Sequence, residues 1–156
     1  MLTRRAKYGL KALLALARAG DGATMRIGDI AGQERIPKKF LEAILLDLRN
    51  HGLVASRLGV GGGYGLARPA DLITMGEAVR VLDGPLAPIA CVSQTEYKPC
   101  EDCQDEAACA LRRVMKDVRD GIASILDHTT LRDAVRQPAR GSRRPVSPRP
   151  RLSKMR

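Results

Sequence analysis

The chain is 156 residues long with a net charge of +10, and its aromatics are three Tyr and one Phe with no Trp. That length suits one domain, or a small domain with an extension, and leaves an interior of mainly Leu, Ala, Ile and Val, which favours helix packing. No apolar run reaches the roughly 18 residues of a membrane span, and Lys11 and Arg18 interrupt the first apolar patch, so the start reads as an amphipathic helix and the expected location is the cytoplasm, with no membrane partner.

The charge is unevenly spread. Residues 1–70 hold 12 Lys/Arg against 5 Asp/Glu, residues 71–136 hold 8 against 12, and residues 137–156 hold 7 against none. A basic first half suits a polyanion, and an acidic middle does not.

Thr3 is placed to cap a first helix to about Ala19, with Leu10, Leu13, Leu14 and Ala17 as its apolar stripe and Gly20-Asp21-Gly22 as its stop. Arg4, Arg5, Lys7 and Lys11 near its start oppose the helix dipole, which points to an external anion. A short second helix is expected at about Ile27–Glu34. A third begins at Pro37, buries Phe40, Leu41, Ile44, Leu45 and Leu48, turns Lys38, Lys39 and Glu42 outward, and ends at His51-Gly52.

Two short extended pieces, LVASRL and YGLARP, then flank a glycine-rich tip and predict a hairpin. A nucleotide-binding loop is excluded there, because no helix follows the glycines and no GK[ST] is present. Helix, helix–turn–helix and hairpin in succession is the layout of a winged helix-turn-helix module, whose later helix enters the major groove of DNA. Thr74 and Glu77 predict a capping box for a connecting helix within residues 71–90, closed by Asp83-Gly84-Pro85.

All four cysteines follow within residues 91–109, as C-VSQTEYKP-C-ED-C-QDEAA-C. Thiolates grouped in a loop suit a soft metal or an iron–sulfur cluster, and in a reducing compartment they are less suited to disulfides. Spacing alone leaves an iron–sulfur cluster (2Fe-2S or 4Fe-4S), zinc, and a metal-free thiol switch all open.

From about Asp105 the pattern is helical to about Asp127. Leu111, Met115, Val118, Ile122 and Ile125 are spaced 4, 3, 4, 3, a coiled-coil-like seam that a second copy of the chain would cover; the competing reading folds it onto the first helix. Residues 105–135 are therefore read as a dimerisation helix, with Thr130 capping a last short turn. The proline- and arginine-rich residues 137–156 are expected to be a disordered basic tail. His51 and His128 are lone histidines at helix ends, suited to capping, and no nucleophile–base pair suggests an enzyme.

The run from Ile27 through Arg68 resembles the winged-helix core of the IscR/NsrR/RirA family of bacterial transcription regulators (the Rrf-two family). The carriers are IGDIA, then IPKKFLEAILLDLRNHGLV, then SRLGVGGGYGLARP with its Gly-Gly-Tyr mark. The resemblance spans about residues 1–135.

It implies a mainly α fold with a small β-hairpin wing and a long dimerisation helix, a homodimer on palindromic double-stranded promoter DNA, and an iron–sulfur cluster in the cysteine loop. Carried over, Lys38, Lys39, Phe40 and Glu42 face the groove, Arg57, Gly62, Gly63 and Tyr64 form the minor-groove wing, and Cys91, Cys100, Cys103 and Cys109 are the ligands. The chain departs from the family pattern at Leu58, where a basic residue often stands, and at Arg112 and Tyr8, where some members place a fourth ligand.

Overall fold

Residues 2–103 and 105–136 are described by the structure, a computed structural model. Helix α1 (Arg4–Ala19) is the post around which the others pack: α2 (Ile27–Glu34), α3 (Lys38–Asn50), α4 (Met75–Asp83), the short α6 (Leu131–Arg136) and the hairpin all lean on it. The Thr3 hydroxyl accepts the Ala6 N–H at 3.1 Å and so satisfies one free donor of the first turn. Leu13 and Leu16 of α1, Ile30 of α2, Leu41, Ile44, Leu45 and Leu48 of α3 and Ile73 before α4 are essentially inaccessible. Each such side chain contributes about 1.5–3 kcal/mol by leaving water.

Three local details differ from the sequence reading. Pro37 precedes α3 as its cap, and the helix proper starts at Lys38. Phe40 is not in the buried face: it is 43 % exposed and stands edge-on to Tyr8 with ring centroids 5.8 Å apart. Its position is one residue ahead of the Leu41–Ile44–Leu45–Leu48 stripe, about 100° round the helix from Leu41. In the capping box at α4, the Thr74 hydroxyl accepts the Glu77 N–H at 3.1 Å, but the Glu77 carboxylate turns outward to Arg68. A different free donor of that first turn is met by backbone pairing, the Met75 N–H donating to the Thr129 carbonyl at 2.8 Å.

The turn between α2 and α3 is built on Arg35, which adopts a left-handed conformation (φ 55°), while the Ile36 N–H closes on the Ala31 carbonyl at 2.9 Å and Ile36 plugs the core. After α3, the left-handed Gly52 (φ 70°) turns the chain so that the Leu53 N–H reaches the Leu48 carbonyl at 2.9 Å. The antiparallel pair β1 (Val54–Arg57) and β2 (Gly63–Leu66) follows, in register Val54 to Leu66 and Arg57 to Gly63.

Of the four cations near the start of α1, Arg5 and Lys11 are turned to internal work, as is Arg18 at its end, while Arg4 and Lys7 stay exposed. Arg5 pairs with Asp47 of α3 and donates to the Leu82 carbonyl of α4 at 2.9 Å. Lys11 and Arg18 both engage Glu34 at the end of α2. A basic residue at a helix start is thus placed by a carboxylate on a neighbouring helix, which composition does not reveal.

Helix α5 (Ala110–Asp127) begins five residues later than expected. The Asp105 carboxylate accepts the N–H groups of Ala107 (2.8 Å) and Ala108 (3.3 Å), a local arrangement that competes with helix. Cys109 is the actual cap, its sulfur accepting the Arg112 N–H at 3.4 Å. At the far end, Asp127 forms a two-pronged pair with Arg80 of α4 (2.6 and 2.9 Å), lying directly over Gly76, where a Cβ would strike the carboxylate. That pairing holds the Asp127 carboxyl below its ordinary range. The helix stops there, and α6 starts separately, with Thr130 accepting the Asp133 N–H at 3.0 Å. Residues 137–156, the expected tail, lie outside the described residues. Among the described residues, no helix is long and apolar enough to cross a membrane.

Candidate functional site

Two surfaces carry the chemistry singled out in the sequence. The first is the start of α3 and the wing. Because Leu41, Ile44, Leu45 and Leu48 bind α3 to the core, the helix must present Lys38, Lys39 and Glu42 to solvent, and all three are exposed, with Phe40 at their edge. A rigid helix carrying two cations and an acceptor on its first turn can reach phosphate and base edges together.

On the wing, Arg57 is exposed and its guanidinium donates to the Gly22 carbonyl at 3.2 Å. The neighbouring Gly62, Gly63 and Tyr64 are half-buried. Tyr64 exchanges two 2.8 Å backbone hydrogen bonds with Met25 and packs its ring against the core. A Cβ at Gly62 would collide with the Arg57 carbonyl and one at Gly63 with the Met25 carbonyl, so these glycines permit backbones to meet. The outermost side chains of the wing are Leu58 and Val60, 99 % and 109 % exposed, of which the sequence marked only Leu58, for lacking a charge. Their signal was an apolar residue on each side of Gly59 in a stretch with no core to enter.

The second surface is the cysteine loop and α5. Cys91 sits buried in a single 3-10 turn (Ala90–Val92), Cys103 and Cys109 are half-buried, and Cys100 is exposed; all four are free thiols. The Cys100 thiol is pushed up chiefly by a hydrogen bond with Cys91, then by desolvation and the nearby Cys91, Cys103 and Asp102 charges. That of Cys103 is pushed up by desolvation and by Cys109 and Glu106. As a donor set, thiols that resist ionising beside one another suit a cation that would stabilise their thiolates. Among the described residues, however, no three ligand-type side chains converge on one point, so the cage is not preformed. Tyr8 and Arg112, at positions where some relatives hold a ligand, are engaged elsewhere: Tyr8 with Phe40, Arg112 with Glu106 at 3.6 Å.

The α5 seam is open to solvent. Leu111, Val118, Ile122 and Ile125 are all exposed, Ile125 by 69 %, and Met115 is half-buried. Val114, 56 % exposed, widens the stripe beyond the five positions read from the spacing. Arg119 is the helix's one buried residue, and α5 rests on α4 and the Ala90–Val92 turn rather than on α1. Both histidines cap as expected: the Nδ1 of His51 lies 2.9 Å from the Asp47 carbonyl, and that of His128 lies 2.8 Å from the Ser124 carbonyl.

With this geometry in hand, comparison with known proteins is informative. A family profile described as "Rrf2: Iron-dependent Transcriptional regulator" matches residues 2–137. An HTH-type transcriptional regulator called rrf2-like from Rhodobacter capsulatus is 46 % identical over 136 residues, covering 85 % of this chain and 91 % of the relative. Among solved structures, CymR, the global cysteine regulator of B. subtilis, superposes with a TM-score of 0.72 at 32 % identity over 86 % of this chain and 95 % of that one. The IscR of T. potens gives 0.69 at 27 % identity, over 86 % and 85 %.

Proposed function

Because this chain belongs to the Rrf2 family of transcriptional regulators, we propose that it acts as a cytoplasmic homodimeric repressor on a palindromic promoter site, and that its four cysteines hold an iron–sulfur cluster which reports redox state, iron or nitric oxide. The regulator is not an enzyme; its relatives are named transcriptional regulators. In this reading Lys38, Lys39, Phe40 and Glu42 enter the major groove and Arg57 lies along the minor groove. Gly63 and Tyr64 serve that contact by fixing the wing against Met25, and Gly62 by letting the tip fold tightly onto the Arg57 carbonyl. Leu111, Met115, Val118, Ile122 and Ile125 pair with the same residues of the second chain, and spacing between the two copies of α3 follows from how the α5 helices cross.

The observation that carries the sensing role is the place of the loop: Cys109 caps α5, and Cys91 shares a cavity wall with Arg112, Lys116 and Arg119 of that helix. When bound, an iron–sulfur cluster would supply a centre that changes charge and ligand demand with oxidants, iron or nitric oxide. The chain's own residues connect α5 to α3. Arg119 ties α5 to the Val92 carbonyl at 2.8 Å, Asp127 ties α5 to Arg80 of α4, and the Leu82 carbonyl of α4 binds Arg5, which pairs with Asp47 of α3. A change in how residues 91–109 fold thus bears on the helix that reads DNA.

A second reading, a thiol-switched or zinc-stabilised repressor, is favoured by the four free thiols together with the likeness to CymR. The deciding experiment is an absorption spectrum with iron and sulfide assays on protein purified without oxygen. Visible cluster bands with stoichiometric iron and sulfide, lost in Cys103→Ala or Cys109→Ala, are expected. Colourless protein with zinc, or with four titratable thiols and no metal, would replace the cluster by the second reading.

A further inference from the structure

Between the loop and α5 lies a cavity of about 90 Å³, whose walls include Cys91, Ser93, Tyr97, Arg112, Lys116 and Arg119. Its lining holds three cations and no carboxylate. Arg112, Lys116 and Arg119 fall at i, i+4 and i+7 of α5, one stripe of the helix, which the apolar seam leaves free.

Two of these cations are incompletely satisfied. Arg119 is 9 % exposed, donates to the Val92 carbonyl at 2.8 Å and pairs with Asp120 at 2.6 Å, yet its Nε is buried without a partner. The Nε of Arg112 is likewise buried with no hydrogen bond, the Glu106 carboxylate being 3.6 Å away. That carboxylate is also claimed by the Tyr97 hydroxyl. Buried charged donors are rarely left open in native proteins, since each costs more than an ordinary lost hydrogen bond.

We propose that this cavity binds a small oxyanion, a phosphate-, sulfate- or carboxylate-sized group held by Arg112, Lys116 and Arg119. The space fits: at about 30 Å³ per water, 90 Å³ is roughly three waters, or one compact anion of a few heavy atoms. The chemistry fits too, because guanidinium N–H groups make short, charge-assisted bonds to oxyanions in fixed geometry. An anion there bridges α5 to the segment after Cys91, and so clamps the root of the cysteine loop to the long helix. The proposal goes beyond the cluster assignment and holds whatever the cysteines bind.

The test is calorimetry, with thermal unfolding alongside, on the full-length protein in sodium phosphate, sodium acetate or sodium chloride at matched ionic strength. Saturable binding and a raised unfolding temperature are expected with phosphate or acetate and not with chloride; which of the two acts tells a phosphate-type from a carboxylate ligand. Arg112→Gln and Lys116→Gln, both away from the helix–helix core, should each weaken binding about tenfold by removing a charge-assisted contact. Lys39→Ala should bind as wild type, which separates the cavity from the DNA face. Binding no better than chloride, or unmoved by Arg112→Gln and Lys116→Gln, overturns the proposal.

Discussion

The winged module and the long helix are built on opposite terms. In the first, α3 buries Leu41, Ile44, Leu45 and Leu48 within its own chain, and of its large apolar side chains only Phe40 and Leu46 stay partly exposed. In the second, α5 has comparable length and a sharper two-faced pattern, yet buries only Arg119 and leaves Leu111, Val114, Val118, Ile122 and Ile125 in solvent. One region is complete as a single chain. The other exposes an apolar stripe, and it follows a loop that carries four free thiols. Burial is therefore concentrated in the winged module, while the cysteine loop and α5 contribute few buried side chains.

That contrast is breakable at several points. The largest expected effect is in the core: Leu45→Ala, at a fully buried position, should cost about 2–5 kcal/mol in chemical denaturation. Replacing Ile125 by Ala, at 69 % exposure, should cost the isolated protomer far less, and equal losses at the two sites would erase the distinction between the regions. Next, Met115→Glu with Ile122→Glu should convert the dimer to a monomer by light scattering while leaving the helical circular dichroism of the winged module. An unchanged mass would mean that the seam is not the interface.

At the DNA face, Lys39→Ala or Arg57→Ala should weaken promoter binding up to about tenfold and make the salt dependence shallower by about one unit of log–log slope, with cofactor content unaltered. Binding equal to wild type in both would remove α3 and the wing from the interface. The smallest effect is at the joint between α4 and α5. Arg80→Gln should lose at most about 1 kcal/mol, since the pair is partly exposed. The Asp127 carboxyl is held low by Arg80, so the pair's contribution is full above the ordinary carboxylate range of about 4 and disappears as the pH falls through the lowered value. Wild type and Arg80→Gln should accordingly differ at pH 7 and converge in acid; a difference that persists in acid would assign the loss to packing.

Much of the module was legible because its signals are local. Thr3 and Thr74 cap the helices they precede, the Leu and Ile spacing of α3 names its buried face, and a glycine run between two short extended pieces makes the hairpin. The cysteine loop was legible for the same reason, as a cluster in sequence. Phe40 was misplaced because a helical wheel gives an angle and not a neighbour, and Tyr8 of α1 offers its ring edge just outside the core. Gly62 and Gly63 read from the sequence only as part of the wing, and folding adds what approaches them, the Arg57 carbonyl at Gly62 and the Met25 carbonyl at Gly63.

What the amino-acid order determined by itself is therefore the set of elements, the caps at Thr3 and Thr74, the exposed basic first turn of α3 and the chemical character of the loop, all functions of residues within a few positions of one another. Only the tertiary structure decided which cations are spent. Arg5, Lys11 and Arg18 meet carboxylates 42, 23 and 16 residues away, while Arg112, Lys116 and Arg119 line a cavity with donors to spare. Charge is carried by single residues, but its availability depends on what folding brings within a few ångströms, and no local pattern records that.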